Sequence, residues 1–278
     1  MIVALAAALL ASTSAPASPA TNSSPGTSIP TPAPTTTAPI SKPSAVSNAN
    51  VWQGITPGKP IARVRSVRGP SLLSRSLPEG SAIDWYPAPN DNAYVVVASR
   101  NDVVTYVRAF TVDPGGSLSG LTDPYGVTPG DTLEALRSRR GDPKETGKIS
   151  DVAAVLVYPG VGALVWLYEF DNGVIHSITL YDPLAAKAPA NSLATVADTH
   201  DGTSIGRAFM VHARNEETGV RFERYYATHR GGCSAWQITN QTLLTTGGRK
   251  IDQIDLECAD NKGQTSLFFD VTSFFGTM

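Results

Sequence analysis

The sequence is poor in three features that often indicate a function: cysteine, histidine and an excess of one charge. Its 278 residues include 2 Cys and 4 His, and 22 Lys plus Arg nearly balance 24 Asp plus Glu, for a formal net charge of −2. Nucleic acids are usually bound through a basic excess, so no nucleic-acid partner is predicted. The histidines lack a metal-ligand spacing and the cysteines are too few for a clustered site, so no metal and no cofactor are predicted.

The first fifty residues contain no acidic side chain and only one basic one, Lys42. Residues 2–10 form an unbroken apolar run of nine, which is too short to span a bilayer and is typical of the core of a secretory signal. Residues 1–20 are therefore predicted to be a signal peptide, although the usual basic start is missing. Residues 21–50 are rich in Ser, Thr, Pro and Ala, which predicts a disordered linker.

The rest of the chain contains an internal repeat. Residues 54–69 (GITPGKPIARVRSVRG) align at an offset of 72 with residues 126–141 (GVTPGDTLEALRSRRG), and eight of these sixteen positions are identical. A further offset of 76 places residues 202–206 on residues 126–130, which indicates a third, diverged copy. The predicted units are residues 51–122, 123–198 and 199–278.

Each unit is predicted to start with a capped helix, with room for a short second helix, followed by an antiparallel meander. Thr56 and Thr128 stand where helix caps are expected, and each is followed by a proline that suits a first helical turn. Strand-like runs follow, such as GALVWLYEFD before the hairpin turn at residues 171–173, and RFERYYATHR at residues 221–230. The predicted fold class is α+β, with three tandem units of a helix packed on a meander.

Residues 202–206 also spell G-x-S-x-G, the pattern around the nucleophile of many serine hydrolases. The preceding stretch, ATVADTHD, is a poor buried strand, and no Asp lies between Ser204 and His229 to complete a triad. The repeat gives a different interpretation, in which Ser204 caps the helix of the third unit. The protein is predicted not to be an enzyme, and a small secreted hydrolase that uses Ser204 is the least favoured alternative.

Cys233 and Cys258 bracket two strand-like runs that are joined by TTGG. A hairpin that turns near residues 245–248 would bring the two cysteines together, which predicts a disulfide. Disulfides persist in oxidising compartments, so this prediction agrees with export. Two reduced, unrelated cysteines are the alternative.

The G-x-[ST] helix start, the G-x-P stop, a paired aromatic and a meander that ends in NG-V-I-x-x-I together resemble a known repeat. It is the repeat of the β-lactamase inhibitor protein family and its relative, the small outer-membrane assembly lipoprotein domain (SmpA/OmlA type). The matching residues of the second unit are Gly126, Thr128, Gly141, Pro143, Trp166, Tyr168, Asn172, Gly173, Val174 and Ile178. Those of the first unit are Gly54, Thr56, Gly69 and Tyr86. The resemblance implies non-enzymatic binding of a protein through an aromatic sheet face. The chain departs from it by lacking a lipidation cysteine and by having a third unit.

Aromatic and basic side chains of the predicted strands are the candidate partner contacts. Trp166 and Tyr168 alternate along one strand and share a side of the sheet, which is either a free binding face or core. A second group lies on the mixed-polarity side of the last strand of a unit, which is expected to be exposed. The candidate binding residues are Tyr106, Arg108, Phe110, Trp166, Tyr168 and Tyr181.

Two arginine pairs fall on the last helical turns at equivalent repeat positions: Arg65 with Arg68, and Arg137 with Arg140. They either complement the helix dipole or form an anion-binding site. In an alternative function, an envelope-assembly scaffold, these arginines would contact anionic lipid headgroups.

The leading prediction is an exported, non-enzymatic protein that binds a protein partner of unknown identity through a sheet surface. Its expected location is extracytoplasmic, whether secreted, cell-surface or periplasmic, and no transmembrane span is predicted in the mature chain.

Overall fold

The computed structural model describes residues 51–88, 93–111, 120–149, 153–188, 200–230, 232–233, 235–260 and 263–277. The predicted signal peptide and linker lie outside these residues. The helices are α1 (Ile61–Arg68), α2 (Leu133–Arg140), α3 (Pro183–Ala186) and α4 (Glu216–Thr228), with a 3₁₀ helix at Ile205–Arg207. The strands are β1 (Leu73–Leu77), β2 (Ser81–Pro87), β3 (Ala93–Arg100), β4 (Val103–Thr111), β5 (Glu145–Lys148), β6 (Ala153–Pro159), β7 (Val165–Asp171), β8 (Val174–Tyr181), β9 (Phe209–Met210), β10 (Trp236–Thr246), β11 (Arg249–Cys258) and β12 (Gln264–Asp270).

Strands β1 to β8 form one sheet in the order β1-β2-β3-β4-β8-β7-β6-β5, and each neighbouring pair is antiparallel. At its centre β4 pairs with β8, which places Tyr106 opposite Tyr181 and Arg108 opposite Thr179. A second sheet has the order β10-β11-β12-β9, and its short strand β9 pairs parallel to β12.

The predicted α+β class with three tandem helix-on-meander units is wrong, because the fold is mostly β. Strands from residues 73–111 and 145–181 join in one eight-stranded sheet instead of forming separate units. Pairing β4 with β8 satisfies backbone groups that two separate meanders would leave open at their edges. The part after residue 200 has its own order: a 3₁₀ helix, a short strand, a long helix and then three strands.

The first two helices begin later than predicted. Helix α2 starts after Thr132, whose hydroxyl accepts a hydrogen bond from the backbone N–H of Ala135, whereas Thr128 lies outside the helix. Helix α1 starts after Pro60 and has no side-chain cap. The shared pentamer instead forms a turn that needs glycine, since Gly58 and Gly130 have φ values of 81° and 96°.

Residues 221–230, predicted to be a strand, lie mostly in helix α4. Asn215 caps this helix by accepting a hydrogen bond from the backbone N–H of Thr218 (3.0 Å). Glu216 and Glu217 occupy the first turn, where negative charge is favourable. The helix buries Phe222, Tyr225 and Tyr226 along one side, so local capping and periodicity both favour helix here.

Both faces of the eight-stranded sheet are covered. On one face, α1, α2 and the segment around Trp52 pack on side chains that include Trp166. On the other face, α4 and the second sheet pack on an aromatic cluster, in which Phe222 contacts Trp85 and Tyr94 with ring centroids 5.8 and 5.4 Å apart. No face of this sheet is left open over its central strands, which are almost entirely buried.

The predicted disulfide is confirmed: Cys233 and Cys258 are bonded, with their Cα atoms 5.8 Å apart. The hairpin of β10 and β11 turns at Gly247 and Gly248, which both have positive φ values, as the sequence predicts.

Replacing both Cys233 and Cys258 with serine is expected to lower the free energy of unfolding by about 2 to 3 kcal/mol. The cysteines are 25 residues apart, and opening this loop raises the entropy of the unfolded chain. Urea unfolding with and without a reductant would measure the effect. The native protein should respond to the reductant and the double variant should not. Equal midpoints for the native protein under both conditions would contradict the prediction.

Candidate functional site

All six candidate binding residues are buried, each no more than 5% exposed. The exposure expected for the side of the sheet that carries Tyr106, Arg108 and Phe110 is therefore wrong. Helix α4 covers this side, and the ring of Tyr225 stacks on Phe110 with centroids 5.6 Å apart. A partner cannot contact these side chains unless α4 leaves the sheet.

Arg108 forms an internal ion pair instead of a partner contact. It donates a hydrogen bond to Glu169 (2.5 Å) and another to the hydroxyl of Ser177 (3.2 Å), and both members of the ion pair are buried. Burial lowers the pKa of the neighbouring His176. These groups bridge β4, β7 and β8, so their role is to hold the centre of the sheet together.

Arg140 lies inside a cage of aromatic rings. Its guanidinium is 3.6 Å from the ring centroid of Tyr125, 4.8 Å from that of Tyr158 and 6.0 Å from that of Trp166. It also donates a hydrogen bond to the hydroxyl of Tyr168 (2.6 Å). Aromatic faces attract guanidinium groups, so the cage is already filled by the protein's own cation.

The other predicted anion-binding arginines do not form a common site with Arg140. Arg65 forms an ion pair with the buried Asp84 (3.0 Å), and Arg68 donates to the backbone carbonyl of Gln53 (2.9 Å). Arg137 is exposed on α2. Of the candidate residues, the structure thus brings Arg140 together with Trp166 and Tyr168. Most of the candidate arginines donate hydrogen bonds to other groups of the protein.

Replacing Arg140 with alanine is expected to lower the free energy of unfolding by about 2 kcal/mol, because both the cation–π contacts and the hydrogen bonds are lost. Arg137→Ala, at an exposed position on the same helix, is the matched control and should change the free energy of unfolding by less than about 0.5 kcal/mol. Urea unfolding curves would compare the two. Equal effects would show that the cage contributes nothing.

The G-x-S-x-G stretch has a structural explanation. Gly202 has a φ value of 73°, and a Cβ atom there would lie 2.2 Å from the ring of Phe209, so only glycine fits. Ser204 is exposed and precedes the three-residue 3₁₀ helix without a side-chain capping bond, so its predicted role as an α-helix cap is wrong. Within the described residues its hydroxyl makes no hydrogen bond, and no base is placed to activate it.

Sequence reasoning missed a pocket of about 250 Å³ between α4, the second sheet and the C-terminal segment. Three of its lining residues are polar and five are apolar. They are Glu216, Val220, Gln241, Leu243, Asp252, Val271, Phe274 and Phe275. Gly219 of α4 makes room for the wall, because a Cβ atom there would lie 2.1 Å from the Phe274 ring.

Glu223 of α4 is fully buried beside this pocket, and no group in the described part of the chain donates a hydrogen bond to either of its carboxyl oxygens. The group that it faces is the carboxyl of Asp252, which lines the pocket. Burial, and then a hydrogen bond that the protonated carboxyl shares with Asp252, raise the pKa of Glu223 to about 10. A glutamate inside the aromatic stripe RFERYY is the sequence feature that could have indicated this buried acid, had the segment been predicted as a helix.

Strand β10 is the most open edge in the described part of the chain. It pairs with β11 alone, and all eleven of its residues are exposed or half-buried. A bulge lies between Ile238 and Asn240, but the sequence WQITNQTLLTT contains neither a charge nor a proline. The other edges are protected differently: β9 has two residues, β5 is short and carries Glu145 and Lys148, and β1 carries Arg75.

Comparisons with known proteins do not identify a family, since no family model and no curated protein matches the chain. Among solved structures, a DUF4309 family protein (YjgB) from Bacillus subtilis matches with a TM-score of 0.35 and 15% identity over 47% of this chain and 83% of its own. A cysteine-rich secretory protein from Staphylococcus aureus has a TM-score of 0.36 and 15% identity over 48% of this chain and 47% of its own. An extracellular protein with an SCP domain from Bacillus anthracis has a TM-score of 0.36 and 9% identity over 51% of this chain and 49% of its own.

The chain thus spans about half the length of the last two structures. The resemblance to the β-lactamase inhibitor protein family and the SmpA/OmlA domain is not tested by these matches and stays a prediction. Within the described residues, no helix is both long and apolar enough to cross a membrane.

Proposed function

We propose that the protein is an exported, non-enzymatic binding protein that adds an extended segment of a protein partner to the open edge of β10. The observation that carries the proposal is this edge itself: an eleven-residue strand without charge or proline, which pairs on one side only among the residues that the structure describes. An extended peptide can add to such an edge through main-chain hydrogen bonds. The proposed binding surface is therefore the edge at β10 and not the face of the eight-stranded sheet, which α4 covers.

Two further observations support the proposal. The disulfide that closes the β10–β11 hairpin fits an oxidising, extracytoplasmic location and stiffens the strand that would receive the peptide. Natural proteins usually blunt long edges with lysine, proline or a cover, and the absence of a charge along β10 is consistent with an edge that is used. The exposed, unpaired hydroxyl of Ser204 gives no support to a hydrolase.

Charges placed on β10 test the proposal. A random-peptide display library would be selected on the full chain, and the enriched peptides would be measured against a Gln237→Lys, Thr242→Lys variant, in which both substituted positions are exposed. We expect this variant to weaken binding by about tenfold or more, because lysines on an edge oppose strand addition.

The matched control carries two lysines at exposed positions away from this edge, Val67→Lys and Val161→Lys. It should bind the enriched peptides as the native protein does. Hydrogen exchange should also show that the bound peptide protects backbone amides of β10. No enriched peptide, or equal loss of binding in both double variants, would overturn the proposal.

A further inference from the structure

The pocket beside β10 is continuous with the proposed peptide edge. Gln241 and Leu243 belong to β10 and also line the pocket, so a segment that lies along β10 would lie next to the pocket. At about 250 Å³, the pocket is smaller than the sites that hold drug-sized ligands and comparable with a single large side chain.

The charged groups in and around the pocket favour a side chain of positive charge. Glu216 and Asp252 line the pocket, and the buried Glu223 faces Asp252. The two charged groups that act on Glu223 are both carboxyls, on α4 and β11. Within the described residues the amide of Gln241 is the one group that donates to this pair, at 2.6 Å from Asp252, so a cation in the pocket would meet carboxyls that have few donors.

The nearby basic groups contact residues other than the pocket carboxyls. Lys250 at the start of β11 donates a hydrogen bond to Thr245 (3.0 Å), and its ammonium lies 5.5 Å from the ring centroid of Phe275. Arg224 of α4 donates to Gln241 (3.0 Å), whose amide in turn donates to Asp252 (2.6 Å). The C-terminal wall, residues 271–277, contains no charged side chain.

The walls suit the stem of a long basic side chain. Val220, Val271, Phe274 and Phe275 are apolar, and Phe274 is fully buried behind the opening. Lysine and arginine side chains carry a charged head on an aliphatic stem, so they match a pocket with apolar walls and a carboxyl pair.

We infer that this pocket binds a lysine or arginine side chain of the segment that pairs with β10, with its cation against Asp252, which Glu223 faces from α4. That the side chain belongs to a peptide rests on the proposed function; the recognition of an aliphatic cation by the pocket does not. Binding should release one proton, because the cation stabilises the charged form of Glu223, whereas burial without a ligand favours the protonated form.

Isothermal titration calorimetry of the full chain with capped single amino acids tests the pocket without engaging the edge. The probes are the N-acetyl N′-methylamides of arginine and lysine, and the neutral control is the same derivative of citrulline, which has nearly the shape of arginine. Arginine or lysine should bind with a dissociation constant of about millimolar order and citrulline at least about tenfold more weakly. Buffers of different ionisation enthalpy should reveal the released proton, and affinity should rise from about pH 6 to about pH 8.

Glu223→Gln keeps the side-chain shape and removes the proton, so it should abolish proton release and weaken binding by about tenfold. Glu257→Gln, an exposed position on β11, is the control and should bind like the native protein. Citrulline binding as well as arginine, no binding of either cation, or binding without proton release would each overturn the inference. Binding of butylammonium but not of the capped amino acids would overturn it in favour of a free amine.

The two proposals can fail separately. The capped amino acids do not span β10, so their failure to bind leaves the peptide-edge experiment standing. Conversely, the Gln237→Lys, Thr242→Lys variant should lose the display-selected peptides and still bind the capped arginine. Enriched peptides without lysine or arginine would contradict the inference while supporting the edge.

Discussion

Replacing Glu169 with alanine is expected to lower the free energy of unfolding by about 3 to 5 kcal/mol. The substitution leaves the guanidinium of Arg108, which is 4% exposed, without the carboxylate to which it donates at 2.5 Å. An uncompensated charge between β4 and β7 cannot reach water while α4 stays on the sheet. Chemical denaturation followed by tryptophan fluorescence and by circular dichroism would measure the loss.

Two comparisons separate the buried charge from the lost contacts. The double variant Arg108→Met, Glu169→Leu removes both charges and should recover most of the stability, since an apolar pair can replace a buried ion pair at little cost. Glu217→Ala breaks the exposed ion pair with Arg221 on α4 and should change the stability by less than about 0.5 kcal/mol. A Glu169→Ala effect as small as that of Glu217→Ala would show that the pair is solvated.

Glu223→Gln is expected to stabilise the protein, and more so at high pH. The pKa of Glu223 is raised from 4.5 to about 10 in the folded state, so between these values the folded chain keeps a proton that the unfolded chain has lost. Folding stability therefore falls as pH rises through this window, by up to about 1.4 kcal/mol per pH unit from this group. A neutral glutamine removes that slope, and at about pH 9 the variant should be more stable by at least about 3 kcal/mol.

Urea unfolding at several pH values would give the difference in the free energy of unfolding between variant and native protein. This difference isolates Glu223 from the other titrating groups. It should grow with pH, whereas the difference for Glu257→Gln, at an exposed position, should stay near zero. A pH-independent difference for Glu223→Gln would show that the carboxyl is charged in the folded protein.

The parts of the fold that the sequence predicts are those with local causes. The hairpin at residues 171–173 needs positive φ values at Asn172 and Gly173, and both have them. The cysteine-bracketed hairpin likewise depends on the two glycines that turn it and on strands of matching length. Turn chemistry is short-range, so it can be predicted without knowing what packs on the strands.

The parts that were predicted wrongly depend on distant segments. Local sequence does not specify that β4 pairs with β8, because many strands could satisfy either edge. The run AYVVVA in β3 is buried at every position, which is typical of a strand covered on both faces, and it is the feature that could have predicted a second layer. With one face assumed free, Tyr106, Arg108 and Phe110 were assigned to a surface that residues more than a hundred positions later cover.

The candidate site could not be predicted for the same reason, because it depends on contacts between distant segments. The pocket arises only when α4, β10, β11 and the C-terminal segment meet, and the whole of β10 lies between Glu223 and Asp252 in the sequence. Neither residue belongs to a motif. A buried acidic pair of this kind can be found only once the tertiary contacts are known.

The two-sided burial of the eight-stranded sheet also has a consequence for biosynthesis. Residues 73–181 supply all eight strands and are made before α4, so their aromatic face, with Trp85, Tyr94 and Phe110, has no cover until Phe222 and Tyr225 arrive. Synthesis is slower than the pairing of local hairpins, and a bare apolar face is prone to aggregate. A nascent chain stalled before α4 should therefore require a holding chaperone, and release of the last strands should end that requirement.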